Sequence, residues 1–285
     1  MTYDAPLVRN ILSPNSGTLL IGAPSSGLSS LAAYLAVALA SGSKFFGQPA
    51  KQSPVALFGD GHAFRYIEAA RTVTAGDCSN LHDTCAGCGP VNGSIVERVS
   101  GNFEYSFNTI KNFSGGVVIY DSVEEALKPE DRLSPALIVE ATSAIIADSI
   151  GAEFSLVATL HASPRDVIDG CLNPLCLMFD RIIHCELIGA SGRITVIRDR
   201  LGPSGFRATY DLIMPEIGLD SEGLTVRGAP IFPDDTVIAG SMAASCVADR
   251  RGEREGLKGR AISRVCHAIA VLSRALNAFR IKARL

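Results

Sequence analysis

Thr18-Leu-Leu-Ile-Gly22-Ala-Pro-Ser25-Ser26-Gly27-Leu28-Ser29-Ser30 joins a short β-type apolar run to a glycine-bounded loop, and a breaker-free Leu/Ala stretch follows as far as Ala40. Strand, glycine loop, helix is the reading. The spacing from Gly22 through Gly27 to Ser29 is that of the phosphate-binding loop G-x-x-x-x-G-K-[ST], in the context that pattern requires. Glycines let backbone N–H groups curl round an anion, and a helix N-terminus adds the positive end of its dipole. Gly22, Ser25, Ser26, Gly27, Leu28, Ser29 and Ser30 are therefore the candidate nucleotide contacts, with the Ser29 hydroxyl placed to ligate Mg²⁺. One position departs from the pattern: Leu28 stands where the lysine belongs. The missing point charge weakens nucleotide binding and, more severely, phosphoryl transfer. An ordinary Gly/Ser strand-to-helix turn is the alternative for the loop taken alone.

Outward from the loop, Val55-Ala-Leu-Phe58 leads to Asp60 in Gly-Asp-Gly, Gly116-Val-Val-Ile-Tyr120 ends in Asp121, and Phe154 to Leu160 ends in His161. Ala136 to Ile150 has helical apolar spacing. Buried apolar strands alternating with helices predict an α/β fold with a mostly parallel sheet, whose sites lie at strand carboxyl ends. Each terminal polar residue also has a plainer reading: Asp60 as a turn residue, Asp121 as a cap, His161 as a structural histidine. Arg181 to Leu187, Arg193 to Arg198 and Phe206 to Asp211 are bounded by Ser191-Gly192 and Gly202-Pro-Ser-Gly205, which predicts antiparallel hairpins finishing the sheet. The expected organisation is a core over 1–214 with an insertion at about 76–92, a linker over 215–248 carrying a hairpin candidate at Leu224-Thr-Val-Arg, and a basic helical tail over 249–285.

Further stretches carry a family resemblance. Ala40-Ser-Gly-Ser-Lys-Phe-Phe-Gly-Gln-Pro followed by Val55-Ala-Leu-Phe-Gly-Asp60 resembles plasmid replicative helicases of the RepA type, where a glycine-loop helix runs into a G-x-x-F-x-G-x-P segment. Gly116 to Asp121 resembles the Walker B strand and Val157-Ala-Thr-Leu-His161 the strand after it. Ile194-Thr-Val-Ile-Arg198-Asp-Arg200-Leu-Gly202-Pro-Ser-Gly205 is similar to the K-x-R-x-G-x-x-G hairpin of DnaB-like helicases. The resemblance spans Thr18 to Asp211 and implies a RecA-like P-loop NTPase core in a homo-oligomeric ring, a hexamer, binding ATP and Mg²⁺ and acting on DNA in replication or recombination. It implies that Asp121 orients Mg²⁺ with Ser29, that Asp60 activates water, that His161 senses the γ-phosphate, and that Arg198 and Arg200 reach a neighbouring subunit's phosphates. With Leu28 in the loop, a catalytically inactive scaffold binding DNA or a partner protein is the second reading. Thr159-Leu-His161-Ala-Ser also resembles the histidine box of secretion and pilus ATPases. Those carry a large domain before the glycine loop, and 21 residues precede Gly22 here.

Composition bounds these readings. Of 285 residues, 47 % are hydrophobic and 19 % charged, which excludes disordered and collagen-like classes. The longest apolar run, Leu31 to Ala40, is short of the roughly 18 residues of a membrane span, and the first residues lack an export signal, so a cytoplasmic protein without membrane contact is expected. The net charge of −3 conceals a polarity: the residues from Asp249 onward carry +7 and the rest −10. A basic tail on an acidic body points to nucleic acid or another subunit, or else to a solvated helical face. Cys78, His82, Cys85 and Cys88, spaced C-x3-H-x2-C-x2-C, form a candidate Cys₃His zinc set, with free thiols as the alternative. Cys171, Cys176, Cys185, Cys246 and Cys266 read as core thiols.

Overall fold

The computed structural model describes residues 5–59, 66–67, 70–71, 77–83, 116–151, 153–188, 191–200, 205–211, 216–219 and 225–227. Its central strand is β1 (Gly17–Gly22), all six residues of which are buried. Pleating sends Leu20 into one apolar cluster and Leu19 and Ile21 into another on the opposite face. A strand buried on both faces needs a continuous apolar sequence rather than an alternating one, and Thr-Leu-Leu-Ile supplies it.

Helix α1 (Leu28–Ser41) packs on the first face. Its sequence is apolar on every side, and every residue from Ser30 to Ala40 is buried. A helix apolar all round must be covered all round. The sheet covers one side, while Leu7, Val8, Ile11 and Leu12, together with Phe45 and Phe46 around the small hairpin of β2 (Lys44–Phe45) and β3 (Gln48–Pro49), join the same cluster. Each fully buried leucine in this layer contributes about 1.5–3 kcal/mol. The opposite face is covered by α2 (Pro135–Gly151) and the short helices α3 (Pro164–Ile168) and α4 (Asn173–Met178), through residues such as Ile138, Ile145, Val167 and Leu175. The result is a three-layer α/β/α unit.

Among the described residues the main sheet has eight strands, ordered β10-β9-β8-β1-β7-β6-β4-β5. β4 (Val55–Phe58), β5 (Leu81–Asp83), β6 (Val117–Tyr120), β7 (Ser155–His161) and β8 (Arg181–Ile188) run parallel with β1, and β9 (Ser191–Asp199) and β10 (Arg207–Asp211) complete one edge antiparallel. From β1 the chain crosses to β4, steps back through β6 and β7, then passes over β1 to β8. That reversal makes the carboxyl end of β1 a topological switch point. The expected mixed α/β architecture with a mostly parallel sheet is therefore present.

Several details differ from the sequence reading. Ser191 and Gly192, expected in a turn, belong to β9 and pair with Ile188 and Leu187. Leu81-His82-Asp83, expected inside an insertion, is the strand that ends the sheet beyond β4. Cys176 and Cys185 are buried as expected, but Cys171 is exposed, because it falls in the turn between α3 and α4. β11 (Glu216–Leu219) and β12 (Thr225–Arg227) form a separate antiparallel pair within the expected linker. The chain divides into two compact units, Met1–Met242 and Ala243–Leu285. The second, which contains the whole basic tail together with Cys246 and Cys266, lies outside the described residues. No described helix is long and apolar enough to cross a membrane.

The amino ends of β1 and β8 are tied by charge. Asp180 accepts a hydrogen bond from the Gly17 N–H at 3.0 Å. Arg181 meets Asp199 through Nε and Nη2 at 3.0 and 2.8 Å, with side chains only 5 % and 3 % exposed. Removing one member of such a pair is far costlier than removing both. Arg181→Met is expected to lower unfolding free energy in urea by about 3–5 kcal/mol, and Arg181→Met with Asp199→Leu to recover most of it.

Candidate functional site at the carboxyl edge

The loop from Gly22 to Gly27 folds back over the end of β1. A Cβ on Gly22 would lie 2.3 Å from Ser26 Oγ and 2.6 Å from the Cys185 carbonyl oxygen, so only glycine fits. Gly27 precedes α1 at φ 83°, and Ser25 adopts φ 67°. Glycine tolerates that left-handed conformation, whereas Ser25 holds it at a cost. Ser26 donates its backbone N–H to Ala23 at 3.0 Å, and its side-chain oxygen is buried with no hydrogen-bond partner among the described residues. That hydroxyl lies against Gly22, and the 14-residue helix α1 begins after Gly27, whose lack of a side chain leaves its first N–H groups without a side-chain cap from the N-cap residue. Ser29 is half-buried, and Ser30 is buried.

Leu28 is 2 % exposed and belongs to the α1-face core. It contributes packing where the loop pattern calls for charge. Lys44 cannot compensate from within the chain: it lies beyond the far end of α1, about 20 Å of helix away.

Two strands over, Asp121 follows β6, and His161 ends β7, level with Gly22 in the β1–β7 register. Val117, Ile119 and Val157 lie in the α1-face cluster, so strand alternation points Asp121, Thr159 and His161 toward the same face. Asp121 is buried, donates its N–H to the Phe58 carbonyl at 2.7 Å, and accepts a hydrogen bond from Thr159 Oγ1 at 2.8 Å. Thr159 Oγ1 in turn accepts from the Ser122 N–H at 2.6 Å. Ser122 is held at φ 60°, backbone strain of the kind found where side chains are positioned for use.

Glu124 completes the arrangement, and the sequence reading passed over it. One carboxylate oxygen accepts the His161 backbone N–H at 2.6 Å and lies 3.4 Å from His161 Nδ1; the other accepts from Ser122 Oγ at 3.1 Å. Burial pushes the Glu124 carboxyl up, but hydrogen bonds from the His161 side chain and from backbone N–H groups outweigh it and hold the group below its ordinary 4.5. The same bond raises His161 above its ordinary 6.5, against partial burial, with Glu124, Asp121 and Glu125 adding negative charge nearby. Spacing alone hid Glu124 because its partner is 37 residues away, joined to it through neighbouring strands.

Asp60, Cys85 and Cys88 lie outside the described residues. Cys78 and His82 are described, His82 on β5, and no group of three metal-ligating side chains occurs among the described residues. Arg198 and Arg200 stand at the opposite edge from the loop. Ile182, at the amino end of β8, pairs with Arg198, while Cys185, level with Gly22, pairs with Ile194. Three residues of β8, about 10 Å, separate the two levels, with a bulge adding one residue on β9. Burial and then the adjacent Arg198 lower the proton affinity of Arg200, so the two cations are close neighbours.

The carboxyl edge thus brings together a hydrogen-bonding cradle, hard oxygen donors on Ser29 and Asp121 of the kind Mg²⁺ prefers, and a carboxylate–imidazole pair. Scanned against protein-family models the chain gives no match, and no curated protein matches it.

The Glu124–His161 pair stabilises the fold over a limited pH range. The lowered carboxyl contributes fully above 4.5 and loses its contribution as pH falls through its folded-state value; the raised imidazole contributes fully below 6.5 and loses its contribution as pH rises through its own. Glu124→Gln is expected to lower the thermal midpoint most between these limits, by no more than about 2–4 °C because His161 is partly solvated. Gly22→Ala is expected to displace the loop and to cost about 1–3 kcal/mol in chemical denaturation.

Proposed function

We propose that this chain is a RepA/DnaB-like, RecA-fold nucleotide-binding protein that assembles as a ring and acts on DNA in replication or recombination, with phosphoryl transfer weakened by Leu28. The observation that carries the reading is the cradle at the β1 switch point. Gly22 admits no side chain, the buried Ser26 hydroxyl has no hydrogen-bond partner among the described residues, and α1 begins after a loop whose first residue, Gly22, is the register partner of His161. Backbone N–H groups and a helix dipole favour a phosphate there.

Ser29 and Asp121 are the residues that would hold Mg²⁺, which supplies charge neutralisation on phosphate oxygens when bound. Thr159 orients the Asp121 carboxylate through its 2.8 Å hydrogen bond. Asp60 has the role of aligning water. Arg198 and Arg200, remote from their own chain's loop, stabilise developing phosphoryl charge only from a neighbouring subunit, so the ring is part of the site. The basic tail supplies DNA contacts whose strength falls with salt.

A scaffold that keeps the fold without turnover is the second reading, and the core packing of Leu28 favours it. Calorimetric titration with a non-hydrolysable ATP analogue separates the two. Micromolar, Mg²⁺-dependent binding by the natural chain is expected, weakened about tenfold or more by Asp121→Asn and by Ser29→Ala. Binding seen only in Leu28→Lys, with its folding checked because the replaced side chain is buried, supports the scaffold. Absence of binding in both chains overturns the nucleotide reading.

A further inference from the structure

We propose that Glu124 is a positioning residue that holds His161 as the cation for a bound polyphosphate, in place of the lysine that Leu28 displaces from the loop. This inference rests on the loop being a phosphate site and adds a residue pair and a charge source to it. The geometry is specific. His161 is the register partner of Gly22, the first glycine of the cradle, and lies on the α1 face into which the loop opens. Glu124 grips it twice, accepting the backbone N–H at 2.6 Å and facing Nδ1 at 3.4 Å, while Ser122 Oγ fixes the second carboxylate oxygen. With Nδ1 turned to the carboxylate, Nε2 is the donor left for a ligand. The His161 side chain is 38 % exposed and that of Glu124 only 12 %, so the positive member of the pair is the accessible one.

The groups near His161 raise its affinity for a proton. β1 and the loop after it carry no titratable side chain, β6 and the turn that follows bring Asp121, Glu124 and Glu125, and the chain after β7 brings Arg165 and Asp166. Asp166 is engaged in the Ser163 capping box of α3. Arg132 is paired with Glu125, and among the described residues Glu124, Asp121 and Glu125 act on His161 in the same direction, raising its proton affinity. Facing a buried carboxylate extends the pH range over which the ring carries charge above that of a solitary histidine.

The test uses the full chain and inorganic tripolyphosphate, titrated calorimetrically from pH 6 to pH 9, beside NMR observation of the His161 ring in isotope-labelled protein. The natural chain is expected to lose about tenfold in affinity as pH rises through the His161 titration. Glu124→Gln, which keeps shape and removes charge, is expected to move both the ring titration and the loss of affinity to lower pH by about one unit. His161→Gln is expected to bind about tenfold more weakly at neutral pH with a flat profile, and His161→Lys to restore affinity over the whole range. An unchanged His161 titration in Glu124→Gln, or tripolyphosphate binding that is indifferent to pH and to both His161 variants, overturns this assignment while leaving the phosphate site standing. No tripolyphosphate binding by any folded chain, including Leu28→Lys, removes the phosphate site and this assignment with it.

Discussion

Everything at the carboxyl edge depends on the burial of β1 between two parallel neighbours. Its six residues are covered on both faces and hydrogen-bonded on both sides, to β7 and to β8. Register in such a strand is fixed, because a one-residue slip would exchange its two apolar faces. Gly22 is consequently held level with His161 on one side and Cys185 on the other. The close approach of the Cys185 carbonyl and Ser26 over Gly22 follows from that register and from the absence of a side chain. Burial also pushes the Cys185 thiol strongly up, so the wall behind the loop is chemically inert.

Helix α1 is the second consequence. A helix so apolar has no solvent face, and the fold spends an N-terminal segment and a small hairpin on covering it. Leu28 belongs to this packing. At the point where loop becomes helix, a side chain either enters the core or turns toward the cradle, and a leucine has reason only for the first. Rigid seating of α1 and a neutral loop therefore share one cause.

Charge on this edge comes instead from tertiary pairing. Asp121 and Thr159 lock the ends of β6 and β7 together, and Glu124 ties the same ends through His161. Ser122, strained between them, links the two interactions through its N–H and hydroxyl. Such a linked set is sensitive to the loss of any member. The opposite edge is organised differently, by the buried Arg181–Asp199 pair and by Asp180 on the Gly17 N–H, with Arg198 and Arg200 nearby in the chain. The carboxyl edge presents the glycine loop and the N-terminus of α1, and the opposite edge carries the two neighbouring arginines.

The sequence by itself determined most strands of the main sheet, the main helices and the loop. β1, β4, β6 and β7 coincide with apolar runs, α1 and α2 with breaker-free apolar stretches, and the β8–β9–β10 hairpins with Gly-bounded segments. These are local signals, carried by periodicity and by glycine and proline chemistry. Asp121 and His161 were legible for the same reason, since each ends an apolar run. Strand order, the switch point, β5 as the sheet's last strand and the Glu124–His161 pair were decided only by tertiary structure. Each depends on which distant segments become neighbours, and hydrophobic pattern does not encode that. Glu124, in a run of acids after Asp121, looks like any solvated carboxylate until β7 delivers a backbone N–H and an imidazole to it. Leu28 is the sharpest case: its identity shows that a charge is missing, and only its burial in the α1 core shows where the side chain went instead.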